Sequence, residues 1–155
     1  EAISQVLKAL EPATNVDDVP PGNWLESYGW WCVFGAKIAL RHLEGEKLQH
    51  YLAIFTNKAL EIARRAQHAG FAATVFLLEY KHQSERARRS GDPLLFILDD
   101  EDVELVLQAM AGVPYFRSVG WDILRHSADS VAALRRAEQF AREDDAGFDP
   151  PAPLL

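Results

Sequence analysis

Leu48, Leu52, Phe55, Ala59, Ile62 and Ala66 recur at alternating steps of four and three residues, the spacing of a single α-helical face. The other side of the same stretch carries Lys58, Glu61, Arg64, Arg65 and His68. An amphipathic helix is predicted here, with Glu61 and Arg65 placed for an i,i+4 ion pair and Gly70 as its C-terminal cap. A shorter face of the same kind opens the chain: Ile3, Val6, Leu7 and Leu10, stopped by Pro12. Residues 11–22 then read as a linker rich in Asp, Pro and Gly.

From Asn23 to about Leu43 the pattern changes. Asn23 and Glu26 have the spacing of a capping box, and the segment from Tyr28 to Leu40 is apolar on nearly every side. A helix of that kind is expected at the centre of a fold. Trp24, Tyr28, Trp30, Trp31 and Phe34 crowd into eleven residues of it. A helix cannot turn all five rings toward one neighbour, so two or more must meet other helices, another subunit or solvent.

Further along, Phe71–Arg89 is predicted to be helical, with Ala73, Phe76, Tyr80 and Ala87 inward. Asp92-Pro93 resembles a cap and first-turn proline ahead of Leu94–Leu98, which reads as one buried helical turn or a short strand. Asp99–Asp102 opens a helix through Met110, with Val103, Val106, Leu107 and Met110 on one side. Residues 115–126 are aromatic and partly helical. A last helix runs from candidate caps at Ser127, Asp129 and Ser130 to about Arg142. Almost nothing alternates with period two. The expected fold is all-α: a single-domain orthogonal or bundle-like array of about six to eight helices around the central apolar helix 24–43. Its organisation is a short N-terminal helix and linker (1–22), a helical domain (23–142) and an acidic, proline-rich tail (143–155).

Composition leaves this picture intact. At 48% apolar and 25% charged, 155 residues suffice for one ordinary core. Charge distribution sharpens it. The net charge is −7, yet residues 41–90 hold nine of the sixteen Lys and Arg and four of the five His against five acids. Residues 91–112 follow with six acids and no base. The net charge argues against whole-surface attraction to phosphates, and nucleic-acid contact would need a local stripe from Lys58, Arg64, Lys81, Arg86, Arg88 and Arg89. Arg64-Arg65 and Arg88-Arg89 have a local role as well, since cations in a last turn complement the helix dipole.

Candidate chemistry is sparse. Cys32 stands alone, so neither an intramolecular disulfide nor a cysteine-based zinc site can form. The expected compartment is intracellular, cytoplasmic; the start at Glu1 rather than Met leaves a processed form or an excised domain, and so a removed leader, open. No apolar run is long enough to span a bilayer. Glu79-x-x-His82 has the spacing of a di-iron carboxylate motif but lacks the second copy that such sites require. Glu46 and His50, with His42, form no spacing that demands zinc. Asp99–Asp102 is better explained as a helix start than as a Mg²⁺ site. No metal or other cofactor is expected.

The leading expectation is a non-catalytic helical module for protein–protein interaction or assembly, with a protein partner or a homo-oligomer, and with Trp24, Trp30, Tyr115 and Trp121 as interface candidates. The alternative is a nucleic-acid-associated domain, nucleocapsid-like or replication-accessory, using the basic stripe. A metal-dependent helical enzyme built on Glu79, His82 and His50 is the third reading.

Overall fold

The computed structural model describes residues 2–143, and the expected acidic tail beyond Glu143 lies outside them. Seven α-helices account for most of the described residues: α1 (Ala2–Ala9), α2 (Asn23–His42), α3 (Gly45–Ala66), α4 (Ala69–Ser90), α5 (Asp100–Gly112), α6 (Arg117–His126) and α7 (Ser130–Glu143). Short 3-10 turns stand at Val16–Asp18 and Pro114–Phe116. The chain is all-α, as its periodicities predict. The described residues pack as two compact units, one on each side of a division after Val75, inside α4.

In the first unit α2 and α3 form the main helix pair. Their contact is built from two matched stripes. On α3 the predicted face is buried at Leu48, Leu52, Phe55, Ala59 and Ile62. On α2 the buried positions include Leu25, Gly29, Cys32, Ala36 and Ala39, again at steps of four and three. Apart from Leu25 these are small, so the helix backbones can approach closely. Gly35 lies against Phe55, where an added Cβ would fall 2.3 Å from ring carbon Cε1.

The N-terminal segment belongs to this unit. Leu7 is fully buried, and the Tyr51 hydroxyl donates to the Ser4 carbonyl at 3.2 Å. The linker contains a capped turn: Asn15 Oδ1 accepts from the Asp17 amide at 3.0 Å, and Val16 is buried.

Several expected helix ends are made differently. Asn23 does not cap α2. Gly22 precedes the helix at φ 90° without a side-chain cap, a conformation that a residue with Cβ rarely adopts. Gly70 is not the C-cap of α3, because Gln67 takes the left-handed conformation there and α4 starts two residues later. His68 caps α4 instead, its Nδ1 accepting the Phe71 amide at 3.2 Å. Asp99–Asp102 starts α5 as expected, and Asp99 caps it, with Oδ1 accepting from the Asp102 amide at 2.8 Å.

The second unit packs the later part of α4 with α5, α6 and α7. Val103, Val106, Leu107 and Met110 of α5 are buried, together with Trp121, Ile123 and Leu124 of α6. Met110 packs on the backbone of Gly120, whose missing Cβ would lie 2.3 Å from Met110 Cγ. Arg117 closes the end of α5 by donating from Nε to the Met110 carbonyl at 2.9 Å. An Arg136–Glu104 ion pair ties α7 to α5.

Asp92-Pro93 does not start a helix. The following segment is extended, and Phe96 makes one isolated parallel bridge with Ser127. The Phe96 amide donates to the His126 carbonyl at 3.1 Å, and its carbonyl accepts from the Ala128 amide at 2.9 Å. Phe96 is buried, whereas Leu95 and Ile97 on either side are exposed.

Candidate association surface

Outside its buried stripe α2 is aromatic and exposed, with Trp30 and Phe34 opposite the small residues and Trp24 and Trp31 flanking them. Trp24 is 72% exposed, Trp30 46%, Trp31 50% and Phe34 60%. A helix apolar all round would ordinarily be buried all round. Here the contact with α3 takes the small residues and leaves the rings outside. Burying the rings against α3 instead would hold the two axes apart and forfeit the Gly35–Phe55 contact.

Two of these rings are held in place. Trp31 Nε1 donates to the Leu10 carbonyl at 2.9 Å. Trp30 meets Phe71 edge-on at 4.6 Å between centroids and meets His68 at 6.3 Å. His68 in turn stacks on Phe71 at 3.9 Å. Tyr28, beside them on the helix, donates its hydroxyl to the Thr14 carbonyl at 2.8 Å. Burial, with smaller contributions from Cys32 and Glu61, raises the phenol above its ordinary range, against the pull of that hydrogen bond.

The sector of α2 that holds Trp30 and Phe34 carries charge at its ends. Successive residues on an α-helix are about 100° apart, so Glu26, Trp30, Phe34, Lys37 and Arg41 fall within about 80° of one another. Glu26, Lys37 and Arg41 are all exposed.

Of the interface candidates, Trp24 and Trp30 lie on this surface. Tyr115 is exposed in the second unit, at 68%. Trp121 is a correction: at 3% exposed it belongs to the core of its unit and has no face to offer a partner. Hydropathy does not separate Trp31 and Phe34 from core residues. The signal for them is residue size, because the glycines, alanines and cysteine follow a helical stripe and the large rings fall outside it.

The basic candidates engage local partners. Lys58 pairs with Glu61 at 3.2 Å, and Arg88 and Arg89 both reach Glu85, at 3.8 and 2.8 Å. Arg65, expected to pair with Glu61, instead reaches Asp17 at 2.9 Å. Arg64, Lys81 and Arg86 are exposed. Lys58 and Arg64 belong to the first unit, and Lys81, Arg86, Arg88 and Arg89 to the second.

Among the described residues no group of three or more His, Cys, Asp or Glu is placed to hold a metal ion. Glu79 and His82 are both half-buried. Burial, reinforced by Arg86 and opposed by Glu85, holds the His82 imidazole below its ordinary value. Cys32 is fully buried, which pushes its thiol up to about 12. A thiol with that pKa is no nucleophile at neutral pH.

One polar constellation leaves no mark in the sequence pattern. Tyr80 donates its hydroxyl to Asp122 Oδ2, and the other carboxylate oxygen lies 3.7 Å from His126 Nε2. The Tyr80 ring also stacks nearly parallel to Phe96, at 6.2 Å. The members are up to 46 positions apart in the chain, so no local motif announces them. Their arrangement joins α4 to α6 and to the extended segment.

No family model matches the chain, and no curated protein or solved structure is significantly similar to it. Among the described residues no helix is long and apolar enough to cross a membrane.

Proposed function

We propose that this protein is a non-catalytic association module whose docking surface is the aromatic side of α2. The observation that carries this reading is the inversion within that helix, where glycine, alanine and cysteine are buried and three tryptophans and a phenylalanine are exposed. Monomeric proteins rarely expose contiguous apolar patches beyond a few hundred Å². A large ring buries roughly 150–250 Å² when covered, so the exposed parts of these four amount to roughly 500 Å². Tryptophan is also enriched among residues that dominate binding energy. Trp30 and Trp31 are already oriented by contacts within their own unit, which lowers the ordering cost of binding.

The test is sedimentation in a native extract, comparing the wild type with Phe34→Glu. The association reading expects the wild type to sediment as a species larger than the 17.4 kDa monomer and the variant to sediment as a monomer with unchanged helical circular dichroism. A wild-type monomer in extract, or a complex indifferent to the substitution, overturns it.

A further inference from the structure

Resting on that reading, we infer that the partner of the α2 aromatic surface is a second copy of this chain, paired antiparallel, α2 against α2, about a two-fold axis near Phe34. The inference comes from the order of residues along the exposed sector: Glu26, Trp30, Phe34, Lys37, Arg41. Acid stands at one end, cations at the other, and rings between.

Such a stripe is self-complementary only when reversed. With a rise of about 1.5 Å per residue, Glu26 lies about 12 Å from Phe34 on one side and Arg41 about 10.5 Å on the other. Trp30 lies about 6 Å before Phe34 and Lys37 about 4.5 Å after it. An antiparallel mate centred near Phe34 therefore brings Glu26 opposite Arg41 and Trp30 opposite Lys37, at both ends of the interface. The first pairing is ionic. The second sets an ammonium against an indole face, a favourable cation–π arrangement. A parallel mate would instead oppose Glu26 to Glu26 and Arg41 to Arg41. Two-fold pairing of one surface with itself is also the commonest closed form of protein assembly.

The area suits a reversible dimer. Trp30 and Phe34 lie in the stripe and Trp31 flanks it; their exposed parts amount to roughly 350 Å² per copy, or about 700 Å² across the pair. The stems of Glu26, Lys37 and Arg41 add to this and bring the total to the size of weak, reversible interfaces, below about 1,200 Å². No rearrangement is needed at Trp30 or Trp31, whose contacts with Phe71 and with Leu10 leave their outer faces open.

The test uses the purified 155-residue chain alone, followed by sedimentation equilibrium from low to high micromolar concentration. The wild type is expected to show a monomer–dimer equilibrium. Phe34→Glu, at the axis, should raise Kd by roughly tenfold or more, with circular dichroism and melting unchanged. Glu26→Arg and Arg41→Glu should each weaken the dimer, and the two combined should restore it. That restoration is specific to the antiparallel arrangement, since a parallel mate keeps like charges opposed in every one of these variants. A purified chain that stays monomeric overturns self-pairing. If an extract complex is nevertheless lost in Phe34→Glu, the association reading stands with a different partner. A dimer that ignores Phe34→Glu overturns the surface, and a double variant as weak as the singles overturns the antiparallel register.

Discussion

Phe55 of α3 and Gly35 of α2 are in contact through the absence of a side chain. A Cβ built at Gly35 would lie 2.3, 2.4 and 2.6 Å from three carbons of the Phe55 ring. Phe55 is fully buried. Gly35→Ala gains up to about 1 kcal/mol of helix propensity. It also forces overpacking that ordinarily costs about 1–3 kcal/mol. The cost should prevail, and chemical denaturation should show a lower midpoint. At Gly29 the nearest ring carbons are 3.0 Å away, so Gly29→Ala is expected to lose less. Equal losses at the two sites would contradict the packing described for α2 and α3.

Tyr80 and Asp122 supply a second test. The hydroxyl donates to a carboxylate at a half-buried position. Tyr80→Phe keeps the ring and its stacking on Phe96 but removes that bond, with an expected loss of about 1–2 kcal/mol. The hydrogen bond to Asp122, and then burial, raise the phenol above its usual 10.0. A raised folded-state pKa stabilises the fold below the unfolded value, and the benefit is lost as pH climbs through the folded one. Wild type and Tyr80→Phe should therefore converge in stability above about pH 10.

His82 sets an acid-side dependence. Burial, aided by Arg86, keeps its folded pKa below 6.5, so the unfolded chain takes up this proton first. The fold has its full stability with respect to this group above about pH 6.5, and loses it as pH falls toward the folded value. His82→Gln should flatten that part of the curve. Urea midpoints at about pH 7.5 and 5.5 would show it, with a smaller acid loss in the variant than in the wild type.

Cys32 should be silent in the native state. Its pKa of about 12 leaves almost no thiolate at pH 8, and the side chain has no exposed surface. Native protein is expected to react with a thiol-specific chromogenic disulfide only as fast as it opens, and guanidinium-unfolded protein to react at once with one equivalent. Rapid native labelling would place Cys32 outside the α2–α3 contact.

The periodic segments are legible in the amino-acid order alone. The α3 face from Leu48 to Ile62 and the α5 face from Val103 to Met110 appear where their spacing puts them. The Asp99 cap is likewise a local matter of side chain and adjacent amides. Other helix ends depend on backbone geometry, as with Gln67 in its left-handed conformation, or on an uncommon acceptor, as with His68 Nδ1. The extended path of Leu94–Leu98 rests on a bridge to Ser127, about thirty residues away, which no local preference encodes.

By itself, then, the chain determined that it is all-α, which faces of α3 and α5 turn inward, and that α2 is rich in rings. Only tertiary packing decided which side of α2 those rings occupy. Hydropathy scores Gly29, Ala36, Trp30 and Phe34 alike as core material, whereas close approach of two helices discriminates by size. Phe55 fits at Gly35 because nothing projects there, and the same rotation of α2 that seats it turns Trp30, Trp31 and Phe34 outward.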